Sequence, residues 1–228
     1  MNVSFLKGGI ITPAQLPIFT KPSPSFALSF DGSNLVRVPY SPKFYPESAF
    51  TVELWLKTSS TPPNNGVIGT EAGGVNGWVM MGAQGDDWAF YFGANGQFAH
   101  IGNATIFDNN WHHVAGIWNG TKVKIFLDGV EGYEDNLGGF INNNSELQIG
   151  RYSTNGHPWV IDSVRMSDIV RYTTNFTPST NWNVDANTIL YFSFNEGTGI
   201  TCADGSPNAF VGTLADGGGG LPIWVPGQ

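Results

Sequence analysis

No stretch of this chain sustains a helical period. Its apolar residues recur in short alternating runs or short solid blocks closed by Gly, Asn and Asp, which restricts the chain to many short β-strands joined by tight turns. The clearest run is FTVELWLKT at 50–58, with Phe50, Val52, Leu54 and Leu56 on one face and Thr51, Glu53, Trp55 and Lys57 on the other. FALSF (26–30) and LVRV (35–38) flank Asp31-Gly32, GWVMMGA and DWAFYFG follow, and GANGQFAHIG places Asn95-Gly96 at a hairpin turn. SELQIG, WVIDSVRM and TILYFSF supply later strands, while SDIVRY allows one helical turn at most. A hydrophobic content of 41% supports a packed core, and a charged fraction of only 12% leaves room for the turn-forming residues of a sandwich or jelly roll.

WHHVAGIWNGTKVKIFLDG (111–129) reads as two strands joined at Asn119-Gly120. Val123, Ile125 and Leu127 face inward, and Lys122, Lys124 and Asp128 face out. Adjacent strand residues point to opposite faces, so His112 and His113 cannot jointly hold one ion, and the expectation is one packed and one exposed histidine. No Cys/His spacing for zinc accompanies them.

Several classes of function are disfavoured. A net charge of −8 without any basic run argues against nucleic acid as a partner. No stretch approaches the ~18 consecutive apolar residues of a membrane span, so no membrane partner is expected. Cys202 is the single cysteine, which rules out an intramolecular disulfide. The first residues carry only Lys7 as a positive charge, and Pro13 and Pro17 interrupt their apolar part, a poor signal peptide. Residues 1–25 read as an extended, proline-rich docking arm carrying Phe5, Leu6, Ile10, Ile11, Leu16, Ile18 and Phe19, ahead of one domain at 26–228.

The segments FDG (30–32), FTVELWLKT (50–58), WHHVAGIWNGTKVKIFLDG (111–129), LQIGRY (147–152) and IDSVRMSDIVRYTTNFTP (161–178) together resemble the laminin-G-like domains of the concanavalin A-like lectin/glucanase superfamily. The resemblance covers about residues 26–225 and implies an all-β fold, a two-sheet antiparallel jelly-roll sandwich. NEGTGITCADGSPNAFVGTL (195–214) is similar to a segment that many relatives carry near the start of the domain. VRMSDIVRYTTNFTPST with DANTILYFSF resembles the variant common in bacteriophage structural proteins. No cofactor is expected; a structural calcium ion is common in that superfamily, with Asp162 at a ligand-like position and Asp31 or Glu196 as partners, against the alternative that Asp162 caps a turn.

An enzymatic role is not expected. The Glu-x-Asp-x-x-Glu strand of the glucanase branch is absent, Glu131, Glu134 and Asp135 lie in a Gly-rich loop with the wrong spacing, and Asp86-Asp87 are adjacent. A carbohydrate site would draw on Trp88, Tyr91, Trp118, Tyr152 and Trp159, against the alternative that most of these rings serve the core. The expected function is a non-enzymatic virion structural protein, a capsid decoration or tail appendage. On that reading it is made in the host cytoplasm, docks on other virion proteins through its arm, and assembles as a homo-oligomer, a trimer by family analogy. It would present a lectin-like domain to surface glycans. The alternative is a carbohydrate-binding or adhesin module without a virion role.

Overall fold

The computed structural model describes residues 25–59, 65–70, 77–83, 89–94, 96–101, 105–152 and 155–228. The expected arm therefore lies outside the described residues, apart from Ser25. In chain order the strands begin with β1 (Phe26–Ser29), β2 (Leu35–Val38), β3 (Phe50–Lys57), β4 (Asn65–Gly69), β5 (Val79–Ala83), β6 (Ala89–Ala94) and β7 (Gln97–Ile101). They continue with β8 (His112–Trp118), β9 (Lys122–Leu127), β10 (Val130–Glu131), β11 (Asp135–Asn136), β12 (Leu147–Ile149), β13 (Arg151–Tyr152) and β14 (Asn155–Gly156). The last are β15 (Val160–Ser167), β16 (Thr188–Phe192), β17 (Thr201–Ala203), β18 (Val211–Ala215) and β19 (Ile223–Pro226).

Two antiparallel sheets form a jelly-roll sandwich. Among the described residues the first sheet runs β10-β9-β8-β3-β15-β1-β19, with β11 also on β9 and β16 on β15. The second runs β17-β18-β2-β12-β4-β5-β6-β7. The 195–214 segment supplies β17 and β18 at one edge of the second sheet, and the following LPIWVPG forms β19 against β1. There Gly227 donates its N–H to Ser25 O at 2.9 Å, so the C-terminus closes the sandwich beside the entry of the chain into β1.

Alternation on β3 explains how the layers meet. Register sets Val52 beside Met166 and Leu54 beside Val164 and Val114, all facing the second sheet, whose Val36, Met80, Phe92 and Ile149 complete one apolar cluster. Burying each such side chain stabilises the fold by about 1.5–3 kcal/mol. Trp78, Trp118 and Trp159 lie in the same cluster, and each satisfies its indole N–H internally, on Phe44 O, Leu137 O and Gly66 O. The Asn119-Gly120 turn forms as expected: Asn119 Oδ1 accepts from the backbone N–H of Thr121 and Lys122, and Gly120 takes a φ of +96°, which an L side chain resists.

The first sheet is covered on its outer face as well, by residues 168–183. Three alternate side chains of β3 hold this strap. Thr51 Oγ1 donates to Ile169 O and accepts from Arg171 N, Glu53 accepts from Tyr172 Oη, and Trp55 Nε1 donates to Ser179 O. Ala115, Ile117 and Phe126 pack beneath Val170, Tyr172 and Phe176, and the last two rings stack at 3.6 Å. Both faces of β3 are therefore buried, and so are both histidines of β8, His112 at 7% and His113 at 0% exposure. The expectation of one exposed histidine fails because the strap and the 105–110 segment each close over one of them.

Gly116, on the core face of β8, measures how tightly the two sheets meet. A Cβ there would fall 2.3 Å from the Phe92 ring. Gly116→Ala should lower stability by about 1–3 kcal/mol through overpacking, read as a lower urea midpoint with an unchanged m-value.

Candidate carbohydrate-binding face

With the first sheet capped by its strap, the partly exposed rings lie at the β6-β7 edge of the second sheet. Phe92 points inward, so its neighbour Tyr91 points out, and register sets Tyr91 opposite His100 on β7. His100 in turn bridges to Tyr133, which lies between β10 and β11, through a pair of backbone hydrogen bonds of 2.7 and 3.3 Å. The three rings form a stack: Tyr91 to His100 at 5.7 Å and 27°, His100 to Tyr133 at 4.8 Å and 20°. Phe98 meets the Tyr91 ring edge-on at 6.2 Å.

His100 has both ring faces taken by its neighbours, so the open surface of the stack is at its ends and edges. Tyr133 is the exposed end, at 68%. Its backbone is set by Gly132, whose N–H donates to Ile125 O at 2.8 Å. A Cβ at Gly132 would lie 2.7 Å from His100 O and 2.9 Å from Ile101 Cβ, so only glycine lets this segment approach β7. Asp135 Oδ2 accepts from Phe98 N at 3.2 Å and ties the same segment to the hairpin. Neither phenol oxygen of Tyr91 and Tyr133 has a hydrogen bond among the described residues. The result is a preset aromatic platform with two free hydroxyls at the sheet edge.

Of the aromatics anticipated as stacking platforms, Tyr91 is the one placed on this face. Trp118, 3% exposed, and Trp159, 0% exposed, are core residues, and no ring face of either reaches solvent. Trp88 lies outside the described residues, and Tyr152 is described only through its backbone pairing with Asn155. Sequence reasoning missed His100 and Tyr133. The signal for His100 was its position across from Tyr91 in the Asn95-Gly96 hairpin. Tyr133 sat in a Gly-rich stretch, EGYED, read as a solvated loop, and only folding brings it beside β7. In that stretch Glu131 pairs with Lys124, and Glu134 with Lys122.

Asp31 and Asp162 of the expected metal set do not converge. Asp31 Oδ1 accepts from Ser33 N, Ser33 Oγ and Asn34 N, capping its own turn. Asp162 Oδ2 accepts from Gln228 N at 2.8 Å near the start of β1, and Glu196 Oε1 accepts from Ala203 N. Register sets Asp162 near Ala27, four residues from Asp31, a span of roughly 13 Å along a strand. No three acidic, His or Cys side chains gather to hold a metal ion among the described residues.

Two clusters of ionisable groups serve the scaffold. Glu53, fully buried, accepts from His113 Nε2 at 3.0 Å, Tyr172 Oη at 2.8 Å, and Arg165 Nε and Nη2 at 2.8 and 2.6 Å. Burial alone would raise its pKa, yet the His113 hydrogen bond and the Arg165 charge overcome that and hold it below the ordinary carboxylate value. Being sealed under the strap, Glu53 meets no substrate. His112 donates from Nδ1 to Asp128 at 2.7 Å and from Nε2 to Asp108 at 3.0 Å, stapling the 105–110 segment to the turn after β9. The Asp128 hydrogen bond raises the His112 pKa against the opposing effect of burial. Asp128 is lowered, the His112 hydrogen bond outweighing its burial together with the His113 N–H, and Asp108 is pulled down to about 2, chiefly by His112.

This two-sheet sandwich has the architecture of a lectin-like domain. The chain belongs to the concanavalin A-like lectin/glucanases superfamily, through a laminin-G-type family model that matches residues 30–175. A protein of Bacteroides ovatus assigned to carbohydrate binding shares the fold with a TM-score of 0.68 at 18% identity, over 90% of this chain and 60% of that one. The chain thus spans 60% of the length of that relative. The heptameric SAP-like pentraxin of Limulus polyphemus aligns with a TM-score of 0.52 and 14% identity over 67% and 80% of the two chains. The mouse laminin alpha1 LG4-5 domains align at 0.51 and 15% over 69% and 48%. At these identities the likeness is one of fold. A search of curated proteins finds no significant match.

Glu53→Gln should cost about 3–5 kcal/mol by leaving Arg165 uncompensated in the interior, measured by chemical denaturation. The His112 staple has its own pH window. A raised histidine pKa contributes stability that is complete below the unfolded value of 6.5 and is lost as pH rises through the folded one. Lowered aspartate values contribute stability present above 3.8 and lost as pH falls through the folded ones. Thermal midpoints should therefore peak between these two limits, and His112→Gln should flatten the decline on the alkaline side.

Proposed function

We propose that this domain is a non-catalytic carbohydrate-binding module whose ligand docks at the β6-β7 edge of the second sheet. The observation that carries the reading is the Tyr91–His100–Tyr133 stack, preset by Gly132 and exposed at Tyr133. Rings offering an apolar face beside free hydroxyls match the mixed surface of a pyranose, whose C–H face stacks and whose hydroxyls hydrogen-bond. The fold shared with the Bacteroides ovatus protein supports the same reading. The virion role expected from the phage-like motif variant finds no support in these relatives. The arm on which it rested lies outside the described residues, so the alternative reading is the better supported one.

The test is a glycan array followed by titration calorimetry on the best ligand. Tyr133→Ala should weaken binding by roughly tenfold, about 1.4 kcal/mol, the scale of one well-covered ring. Gly132→Ala should weaken it by displacing Tyr133 while the circular dichroism stays native. Unchanged affinity in both variants would place the ligand elsewhere, and an empty array would end the carbohydrate reading.

A further inference from the structure

β19 ends the first sheet and pairs only with β1 among the described residues, so its other side is an edge. Which backbone groups face that edge follows from the ladder. Gly227 donates its N–H to Ser25 O, and in an antiparallel pair the residues that bond across alternate with those that do not. Val225, opposite Ala27, and Ile223, opposite Ser29, therefore bond to β1. The other side of β1 agrees: Phe30 N donates to Trp159 O and Phe26 N to Asn195 Oδ1, so these amides point away from β19. The edge of β19 is thus presented by Pro222, Trp224 and Pro226, and the two prolines have no N–H to offer.

The rest of this edge invites pairing. Ile223 is 62% exposed, and Leu221 is exposed beside it. Trp224 Nε1 donates to Gly199 O at 3.0 Å, which brings the exposed Ile200 to the same side of the sandwich. Residues 217–228 carry no charged side chain, so repulsion cannot keep a second strand away. An exposed apolar edge of this kind is a template for a further strand. Other edges of the two sheets have their amides matched. His100 on β7 exchanges backbone hydrogen bonds with Tyr133, Glu131 N on β10 donates to Asn175 Oδ1, and Ala203 N on β17 donates to Glu196 Oε1 at 2.8 Å. On β19 the amides are removed instead.

We propose that β19 is a latent self-association edge for a second copy of this chain, held closed by Pro222 and Pro226. A two-fold axis beside Trp224 would set two β19 strands antiparallel, with Trp224 facing Trp224 and Pro222 facing Pro226 of the second copy. The central pair would exchange its hydrogen bonds, while each flanking pair would make none, because neither proline can donate. This stands independently of the carbohydrate reading.

The experiment compares the full chain with a Pro222→Val/Pro226→Thr double variant by sedimentation velocity over a ~100-fold range of concentration. Both replacements suit a strand, and each restores an N–H at the edge. The mass of the parent chain should stay constant, and that of the double variant should double at the top of the range. Amide hydrogen exchange should show Trp224 N–H protected in the double variant alone. Adding Ile223→Lys to the double variant should return it to the parent mass, since a lysine on an edge opposes pairing. A double variant that matches the parent at every concentration overturns the proposal. So does growth in mass that Ile223→Lys does not reverse, or a parent chain whose Trp224 amide becomes protected as concentration rises.

Discussion

Everything in this molecule hangs from the burial of β3 on two faces. Phe50, Val52, Leu54 and Leu56 bind the two sheets together, while Thr51, Glu53 and Trp55 anchor the strap that seals the other side. A carboxylate in that position is tolerable only because Arg165, His113 and Tyr172 supply its donors from three separate segments. The Glu53 charge is thus matched by donors from β8, β15 and the strap together.

The strap fills the outer surface of the first sheet with Tyr172, Phe176 and their neighbours, which leaves the exposed rings to the β6-β7 edge of the second sheet. On that sheet the chemistry is divided by strand order. The β5-β6-β7 end carries rings in cross-strand register, and the β18-β2-β12 end carries Thr213, Arg37 and Gln148. A glycine-bearing strand lies between them. The division follows from alternation and pairing alone, since each outward position is fixed once its neighbours are committed to the core.

Much of the scaffold was legible in the chain. The period-two run at 50–58, the Asn119-Gly120 hairpin and the inward triplet Val123, Ile125 and Leu127 all report local rules, steric alternation and turn geometry that need no partner to be recognised. The tryptophans show where such reasoning stops. Trp118 and Tyr91 each lie in a strand, and nothing local distinguishes the core ring from the exposed one, because that depends on what packs across the sheet. The spacing of Asp31 and Asp162 is likewise a tertiary matter. Asp162 lies on β15 beside the start of β1, and Asp31 lies past its end, a separation that strand register sets and the sequence does not show.

The sequence by itself determined the class of fold and the Asn119-Gly120 turn, because period and turn chemistry are properties of the chain. Only the tertiary structure decided that His112 and His113 are both engaged by carboxylates, that residues 168–183 cap one sheet, and that Tyr133 completes a stack with His100 and Tyr91. These depend on contacts between residues tens of positions apart. Such contacts are set by strand order and by the close approach Gly132 permits, and neither leaves a mark on any local stretch of sequence.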